Sequence, residues 1–172
     1  MYFKTLEETI GNTPLLEIPS GNASNKILIK LEGNNPGGSI KDRPAIRMIN
    51  DAEKNGLITK GDTLIEATNG NTGIALAMIG AERGYKIKIV MPKDMSSERK
   101  SLLRLFGAEL IEVQAGDFDK AIELKDELVD QYGYYPLNQF TSKLNIECHY
   151  KTTFKELLNH SLKIGKNISA FI

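Results

Sequence analysis

The chain of 172 residues has a single cysteine, Cys148, so no internal disulfide can form. That scarcity fits a reducing compartment. Excess charge is missing too. The 22 basic and 22 acidic side chains cancel, which removes any bulk attraction to nucleic acid or an anionic membrane. No stretch approaches the roughly 20 apolar residues that a membrane-spanning helix needs. The opening residues, MYFKTLEE, lack the apolar core of a secretory signal. Internal repeats, low-complexity tracts and long linkers are also absent. The reading these absences support is a cytoplasmic globular protein with no nucleic-acid or membrane partner. Its 41% hydrophobic and 26% charged residues are ordinary for that class. A chain of this length buries one good core and part of a second lobe.

What the chain does have is a regular change of period. Residues 3–10 predict a short helix, broken at Asn12-Thr13-Pro14, and residues 15–18 an edge strand. A polar loop at 21–25 leads to ILIKL, residues 27–31, which suits a short buried strand. From Pro44, the residues Ala45, Ile46, Met48, Ile49 and Ala52 share a helical face that stops near Gly56. Strands are expected at 63–67, 86–91 and 109–113, with helices through 74–79, near 97–106 and at about 117–131. The helix through Ile74 is apolar on most faces and is therefore the buried one. Such alternation implies a parallel sheet with right-handed crossovers. Residues 133–136, GYYP, read as a break before a less regular region, and a final helix is expected at about 152–162. The closing apolar run ISAFI, 168–172, has the composition of a buried strand without the neighbours that a strand needs.

Two strand-to-helix junctions hold the candidate chemistry. In LEGNNPGGSIKDR, residues 31–43, the turn residues at 33–38 bend the backbone sharply. Ser39 is a candidate N-cap, Asp42 puts a negative charge in the first helical turn, and Pro44 suits an early helical position. Lys41 thus sits where open α/β sheets bind ligands. A lone lysine is ordinarily a solvated charge, so Lys41 draws its weight from its company. The second junction is TNGNTG, residues 68–73. Unsatisfied N–H groups at a helix start bind anions, although a turn of this kind taken alone is more often just a well-capped junction. It is neither a G-x-G-x-x-G fingerprint nor a P-loop, which needs Gly-Lys followed by Ser or Thr.

Other residues read as structural. Cys148 and His149 are neighbours, which on a strand would point to opposite faces, and no third ligand for a metal lies within reach in sequence. His160 is expected on a polar helix face, residues 97–100 in a solvated first turn, and Tyr132, Tyr134 and Tyr135 in packing.

Taken with GNTPL at 11–15, the two junctions resemble the cysteine synthase family, and within it the B-type O-acetylserine sulfhydrylases, from about Thr5 to about Thr153. The resemblance implies a pyridoxal 5'-phosphate enzyme of the tryptophan-synthase β-like fold: α/β, three layers of parallel sheet and flanking helices, with the N-terminal part only in this chain. Residues 1–43 would be a fragment of the larger lobe, 44–143 the smaller lobe, and 144–172 the start of the returning larger lobe. By the same resemblance Lys41 would be both the catalytic residue and the covalent seat of the cofactor. Asn71 would hydrogen-bond the cofactor's ring oxygen. Thr68, Asn69, Gly70, Thr72 and Gln139 would hold the substrate's carboxylate. The family usually carries serine at the position of Asn69, so affinity or substrate choice is expected to shift there.

The reaction implied is β-replacement: O-acetyl-L-serine and sulfide give L-cysteine and acetate, with Lys41 as the base that removes the α-proton. The resemblance also admits a homodimer and, in the same cleft, the C-terminal tail of serine acetyltransferase. Two family features are missing. After Gly133 only Gly165 remains, so there is no glycine- and threonine-rich phosphate loop, and the downstream serine that partners the pyridine nitrogen is not found. The expectation is a chain that stops before the phosphate loop, whose activity in isolation is not implied. Three alternatives stay open: a serine/threonine dehydratase or cystathionine β-synthase relative, a non-catalytic module that binds the acetyltransferase tail, and a decayed or truncated product.

Overall fold

The computed structural model describes residues 2–21, 26–165 and 167–171. Near the start, Glu7–Thr9 is one turn of 3-10 helix, where a longer helix was expected over 3–10. Gly11 (φ 89°) and Asn12 (φ 48°) are left-handed and break the helical path. Leu15–Ile18 (β1) and Ile27–Lys30 (β2) pair antiparallel, Leu15 opposite Lys30 and Ile18 opposite Ile27. The polar loop expected at 21–25 lies almost wholly outside the described residues. β2 was expected to be buried, yet Ile27 is 46% and Ile29 42% exposed. Its only ladder partner among the described residues is β1, so its apolar face stays open to water.

Asp42–Lys54 (α1) buries Ala45, Met48, Ile49 and Ala52, the face anticipated from the sequence. Thr63–Ala67 (β3), Asn71–Arg83 (α2), Lys86–Pro92 (β4), Ser97–Leu105 (α3), Glu109–Val113 (β5) and Phe118–Tyr132 (α4) follow in strict alternation. Tyr135–Pro136 (β6) is a short strand parallel to β3, with Leu64 opposite Tyr135, where a simple break was expected. The break is confined to Gly133, left-handed at φ 69°, which closes α4. Lys143–Lys151 (α5) and Thr153–Lys163 (α6) end the regular structure. Only α6 was foreseen, because α5 has little apolar periodicity for a sequence pattern to show. Residues 167–171 carry no strand and are exposed.

The four-stranded sheet is all parallel, in the order β5-β4-β3-β6. The three-layer arrangement holds here, but the second sheet, β1-β2, is antiparallel and not a further parallel one. One layer is filled by α1 and α2 against Leu64, Ile87, Ile89 and Met91, and the other by α4 against Ile65, Ala67, Val90 and Val113. Residues 72–80 of α2 are buried without exception, as its all-round apolar sequence requires.

One ion pair marks the orientation that matters for function. Glu53, next to last in α1, accepts from Arg83, the last residue of α2, at 2.8 Å. Both helices have 13 residues, and they pack on each other. With their C-termini together, their N-termini share an end of the molecule. Lys41 and the 68–73 turn therefore lie at the same end.

Candidate active site

The turn ahead of Lys41 is held by an aspartate. The Gly37 N–H donates to Asp42 Oδ2 at 2.6 Å, and the Gly38 N–H to the Asn35 carbonyl at 2.8 Å. Asp42 is fully buried, and its Oδ1 has no hydrogen-bond partner among the described residues. Burial is the main reason its carboxyl is pushed up to about 6; the Gly37 amide opposes that rise and the charge of Glu32 adds to it. Asp42 is therefore more than the dipole partner expected from sequence, since it fastens the turn to α1. Ser39 is not the cap residue, because the helix starts at Asp42, but its Oγ accepts the Lys41 N–H at 3.1 Å. A Cβ at Gly37 would stand 2.4 Å from Asp42 Oδ1 and 2.9 Å from its Cγ, and Asp42 is itself fully buried. Gly37→Ala is expected to cost about 1–3 kcal/mol, read from the urea midpoint; an unchanged midpoint would mean that the turn is slack.

Lys41 is half-buried. Among the described residues five lysines are withdrawn from solvent, and Lys30, Lys88, Lys100 and Lys125 each pair with a carboxylate. Lys41 alone of the five has no ion pair there. Its charge is felt by His149 on α5, whose imidazolium is disfavoured first by burial and then by Lys41 and Arg43. His149 Nδ1 lies 3.1 Å from Thr153 Oγ1. The sequence reading gave His149 an ordinary structural role on a strand. It stands instead on a helix, with Cys148 buried beside it, and that helix was not legible in sequence.

The 68–73 turn joins β3 to α2. Thr68 N–H donates to the Val90 carbonyl at 3.1 Å, and Gly70 N–H reaches Thr68 Oγ1 at 3.3 Å. α2 has no side-chain cap, and among the described residues no acceptor meets the N–H groups of Asn69, Asn71 or Thr72. Such orphan donors at a helix start suit an anion. At Gly73 a Cβ would meet Thr68 Cγ2 at 2.9 Å, so the helix start packs hard against the strand end. Arg99 of α3 steadies the turn by donating to the Asn69 carbonyl at 3.4 Å.

Of the residues singled out in sequence, Thr68, Thr72 and Gln139 are buried, Lys41 and Gly70 are half-buried, and Asn69 and Asn71 are exposed. Thr72 and Gln139 are in direct contact: Thr72 Oγ1 donates to Gln139 Oε1 at 2.6 Å, and Gln139 Nε2 donates to the Ala67 carbonyl at 3.4 Å. Lys41 shares the end of the molecule with this turn but makes no hydrogen bond to it among the described residues.

Glu66, just ahead of the turn, was missed. Its signal was a lone charge in the apolar strand TLIEA. It is 2% exposed, and burial pushes its carboxyl up to about 7, against the pull of Lys125 and of the Gln139, Asn138 and Ala67 amides. Between about 4.5, the ordinary glutamate value, and about 7, the folded protein keeps a proton that the unfolded chain releases. Glu66 is thus expected to lower stability as pH rises through that window, by on the order of 3 kcal/mol. Urea unfolding at pH 5 and pH 8 checks this: Glu66→Gln should flatten the slope, and an undiminished slope would assign it to other groups.

With this geometry in view, the family model for pyridoxal-phosphate dependent enzymes matches residues 6–172. Cysteine synthase B of Pseudomonas syringae pv. syringae is 47% identical over 160 residues, covering 91% of this chain and 95% of that protein. Cysteine synthase B of Escherichia coli is also 47% identical, over 98% of this chain but 55% of its own length. Among solved structures, O-ureido-L-serine synthase superposes with a TM-score of 0.91 at 38% identity, over 98% of this chain and 53% of that one. A hydrogen sulfide-producing enzyme from Fusobacterium nucleatum superposes with a TM-score of 0.87 at 47% identity, over 93% and 53% respectively. Apart from the Pseudomonas syringae protein, the chain spans about half the length of these relatives. Motifs, sheet order and superposition agree, and the chain belongs to the pyridoxal-phosphate dependent enzyme family.

Proposed function

We propose that the chain carries the lysine-bearing and carboxylate-binding parts of a cysteine synthase, which converts O-acetyl-L-serine and sulfide into L-cysteine and acetate. The observation that carries this reading is Lys41: half-buried, without a carboxylate partner among the described residues, and at the same molecular end as the open amides of the 68–73 turn. An amine without a counter-ion is free to condense with an aldehyde, and the orphan N–H groups are free to take an anion. The residues present therefore fit the aldehyde end of pyridoxal phosphate and a substrate carboxylate. A second glycine-lined cradle, of the kind a phosphate needs, is not formed by the described residues after Gly133.

When bound, pyridoxal phosphate supplies a sink for the electron pair left as the substrate's Cα–H bond breaks. Lys41 would hold the cofactor covalently and, once freed, take the α-proton at its Nζ. Asn71 would hydrogen-bond the cofactor's ring oxygen. Thr68, Asn69, Gly70, Thr72 and Gln139 would orient the substrate through its carboxylate, with the Asn69 amide standing where the family usually has a hydroxyl.

The same reading assigns 1–43 and 144–172 to a larger lobe and 44–143 to a smaller one, and places the protein in the cytoplasm. It also admits a second copy of the chain and a serine acetyltransferase tail as partners, the tail's terminal carboxylate taking the 68–72 turn. A dehydratase-like relative would share Lys41 and need no sulfide; release of a 2-oxoacid from O-acetyl-L-serine alone would favour it.

Trapping tests the assignment directly. The chain is incubated with pyridoxal phosphate, reduced with borohydride, digested and mapped by mass spectrometry. The adduct is expected on Lys41; adducts spread over the exposed lysines would overturn the reading.

A further inference from the structure

Residues 37–42 form a closed loop, and Lys41 stands inside it. The Gly37 N–H donates to Asp42 Oδ2 at 2.6 Å, so the aspartate side chain turns back over the residues before it. Within the loop, buried Ser39 accepts the Lys41 N–H at 3.1 Å, and the Lys41 carbonyl accepts the Ala45 N–H, also at 3.1 Å. The Lys41 backbone is therefore held on one side by the loop and on the other by the first turn of α1. The loop is braced in front as well. The Gly38 N–H donates to the Asn35 carbonyl at 2.8 Å. Asn35, itself buried, takes the Gly11 N–H on Oδ1 at 2.8 Å and donates to the Glu32 carbonyl and carboxylate at 2.8 and 2.9 Å.

An acid in the first turn of a helix ordinarily lies in water and faces the free amides of its own helix. Asp42 does neither. It is fully buried, its one bond among the described residues goes back to Gly37, and its Oδ1 has no partner there. Arg43, the next residue, commits its guanidinium to Glu32, Glu156 and Thr13. A buried carboxylate left in this state weakens a fold, so stability does not account for it. What it supplies is a charge-assisted hydrogen bond, roughly twice as strong as a neutral one. Glycine at 37 permits the approach, since a Cβ there would stand 2.4 Å from Asp42 Oδ1.

We infer that Asp42 is a positioning residue for Lys41: by closing the loop onto Gly37 it fixes the Lys41 backbone, and with it the place where the amine stands. Asp42 itself touches neither cofactor nor substrate. The inference rests on reading Lys41 as the amine that takes the cofactor, and it adds what holds that amine ready. An aldehyde is captured only by chains whose amine is in place, so the fraction in place scales the capture. Loss of one hydrogen bond to a charged group lowers that fraction about tenfold.

The test uses the 172-residue chain at pH 8, where Asp42 is ionised. Sub-saturating pyridoxal phosphate followed by borohydride reads capture at Lys41 by mass spectrometry. Reductive methylation with carbon-13 formaldehyde labels the lysines, and the NMR signal of dimethylated Lys41 reports its surroundings without the cofactor. Asp42→Ala should cut the Lys41 adduct about tenfold, speed exchange of the Gly37 and Lys41 amides, and move the Lys41 methyl signal toward those of the exposed lysines. Asp42→Asn removes the charge but keeps an oxygen for Gly37, and should recover most of all three. That recovery separates loop closure from the mere loss of a negative charge. Unchanged capture and methyl signal in Asp42→Ala would overturn the proposal, as would Asp42→Asn behaving like Asp42→Ala. If Asp42→Ala does not fold, exchange in the unmodified chain decides: protection of Gly37 equal to that of Lys41 supports the closure, and exchange at an open-loop rate overturns it. If the unmodified chain forms no adduct on Lys41 while its methyl signal still responds to Asp42→Ala, the positioning role stands and the cofactor reading of Lys41 falls.

Discussion

Lys41→Ala is expected to leave no cofactor absorbance near the visible edge and no reducible adduct, while the fold stays intact. The two halves of this expectation have one cause. Among the described residues the Lys41 side chain has neither an ion pair nor a hydrogen bond, so its removal deletes no partner from the native structure. Substitutions without such partners usually shift stability by no more than about 0.5 kcal/mol. Covalent capture of an aldehyde, by contrast, needs an amine at that place and has no substitute. Lys30 supplies the control. It is half-buried like Lys41 but bonded to Glu156 at 2.7 Å, so Lys30→Met should cost stability and leave any adduct on Lys41 in place. Absorbance that persists in Lys41→Ala, or a collapse of its unfolding midpoint, would remove Lys41 from the proposed role.

Arg43→Met is expected to have the largest effect on stability, about 3–5 kcal/mol, because it would leave two carboxylates facing each other without their main cation. Arg43 is 2% exposed. Its Nε donates to Glu32 at 2.7 Å, and its Nη1 to Glu156 at 2.6 Å. Nη2 reaches both carboxylates, at 2.8 Å each, and Thr13 Oγ1 at 3.3 Å. Glu156 also takes the Asn12 N–H at 3.0 Å. One guanidinium thus ties the segment around Asn12 and Thr13, the turn after β2, and α6 to the first turn of α1, two residues from Lys41. Burial alone would raise the Glu156 carboxyl, but the bonds from Arg43 and Lys30 outweigh it and hold the group at about 2. A depressed carboxylate stabilises the fold fully above its ordinary value near 4.5 and loses that contribution as pH falls toward 2. The deficit of Glu156→Gln, measured by denaturant unfolding, should therefore be largest at neutral pH and shrink toward pH 2. A deficit that does not vary with pH would show that packing, and not charge, is what Glu156 contributes.

The readings from sequence succeeded where a local pattern had one physical meaning. The β/α alternation from Thr63 to Tyr132 was legible because short apolar runs of strand length alternate with longer helical stretches, and glycines such as Gly84 and Gly133 close two of the helices. The family was legible because short motifs recur in a fixed order. Failures fell where the neighbours decide. The 27–30 segment looks like a buried strand by composition, but a strand is buried only if something covers it. α5 escaped notice because its support comes from packing on α1, not from a periodic face of its own. Tyr135 and Pro136 read as a break because two residues cannot show a period, and only the edge of β3 makes them a strand.

By itself, then, the sequence determined a parallel α/β layer, two turn-rich junctions before helices, and membership of a pyridoxal-phosphate family, since these follow from residue type and spacing along the chain. Tertiary structure alone decided that Lys41 would lack a counter-ion among the described residues while four other withdrawn lysines have one, that Gln139 would meet Thr72 across 67 residues, and that Arg43 would gather two distant glutamates. The physical reason is that charge pairing and burial depend on which surfaces meet. Residues far apart in the chain find each other only when the helices pack.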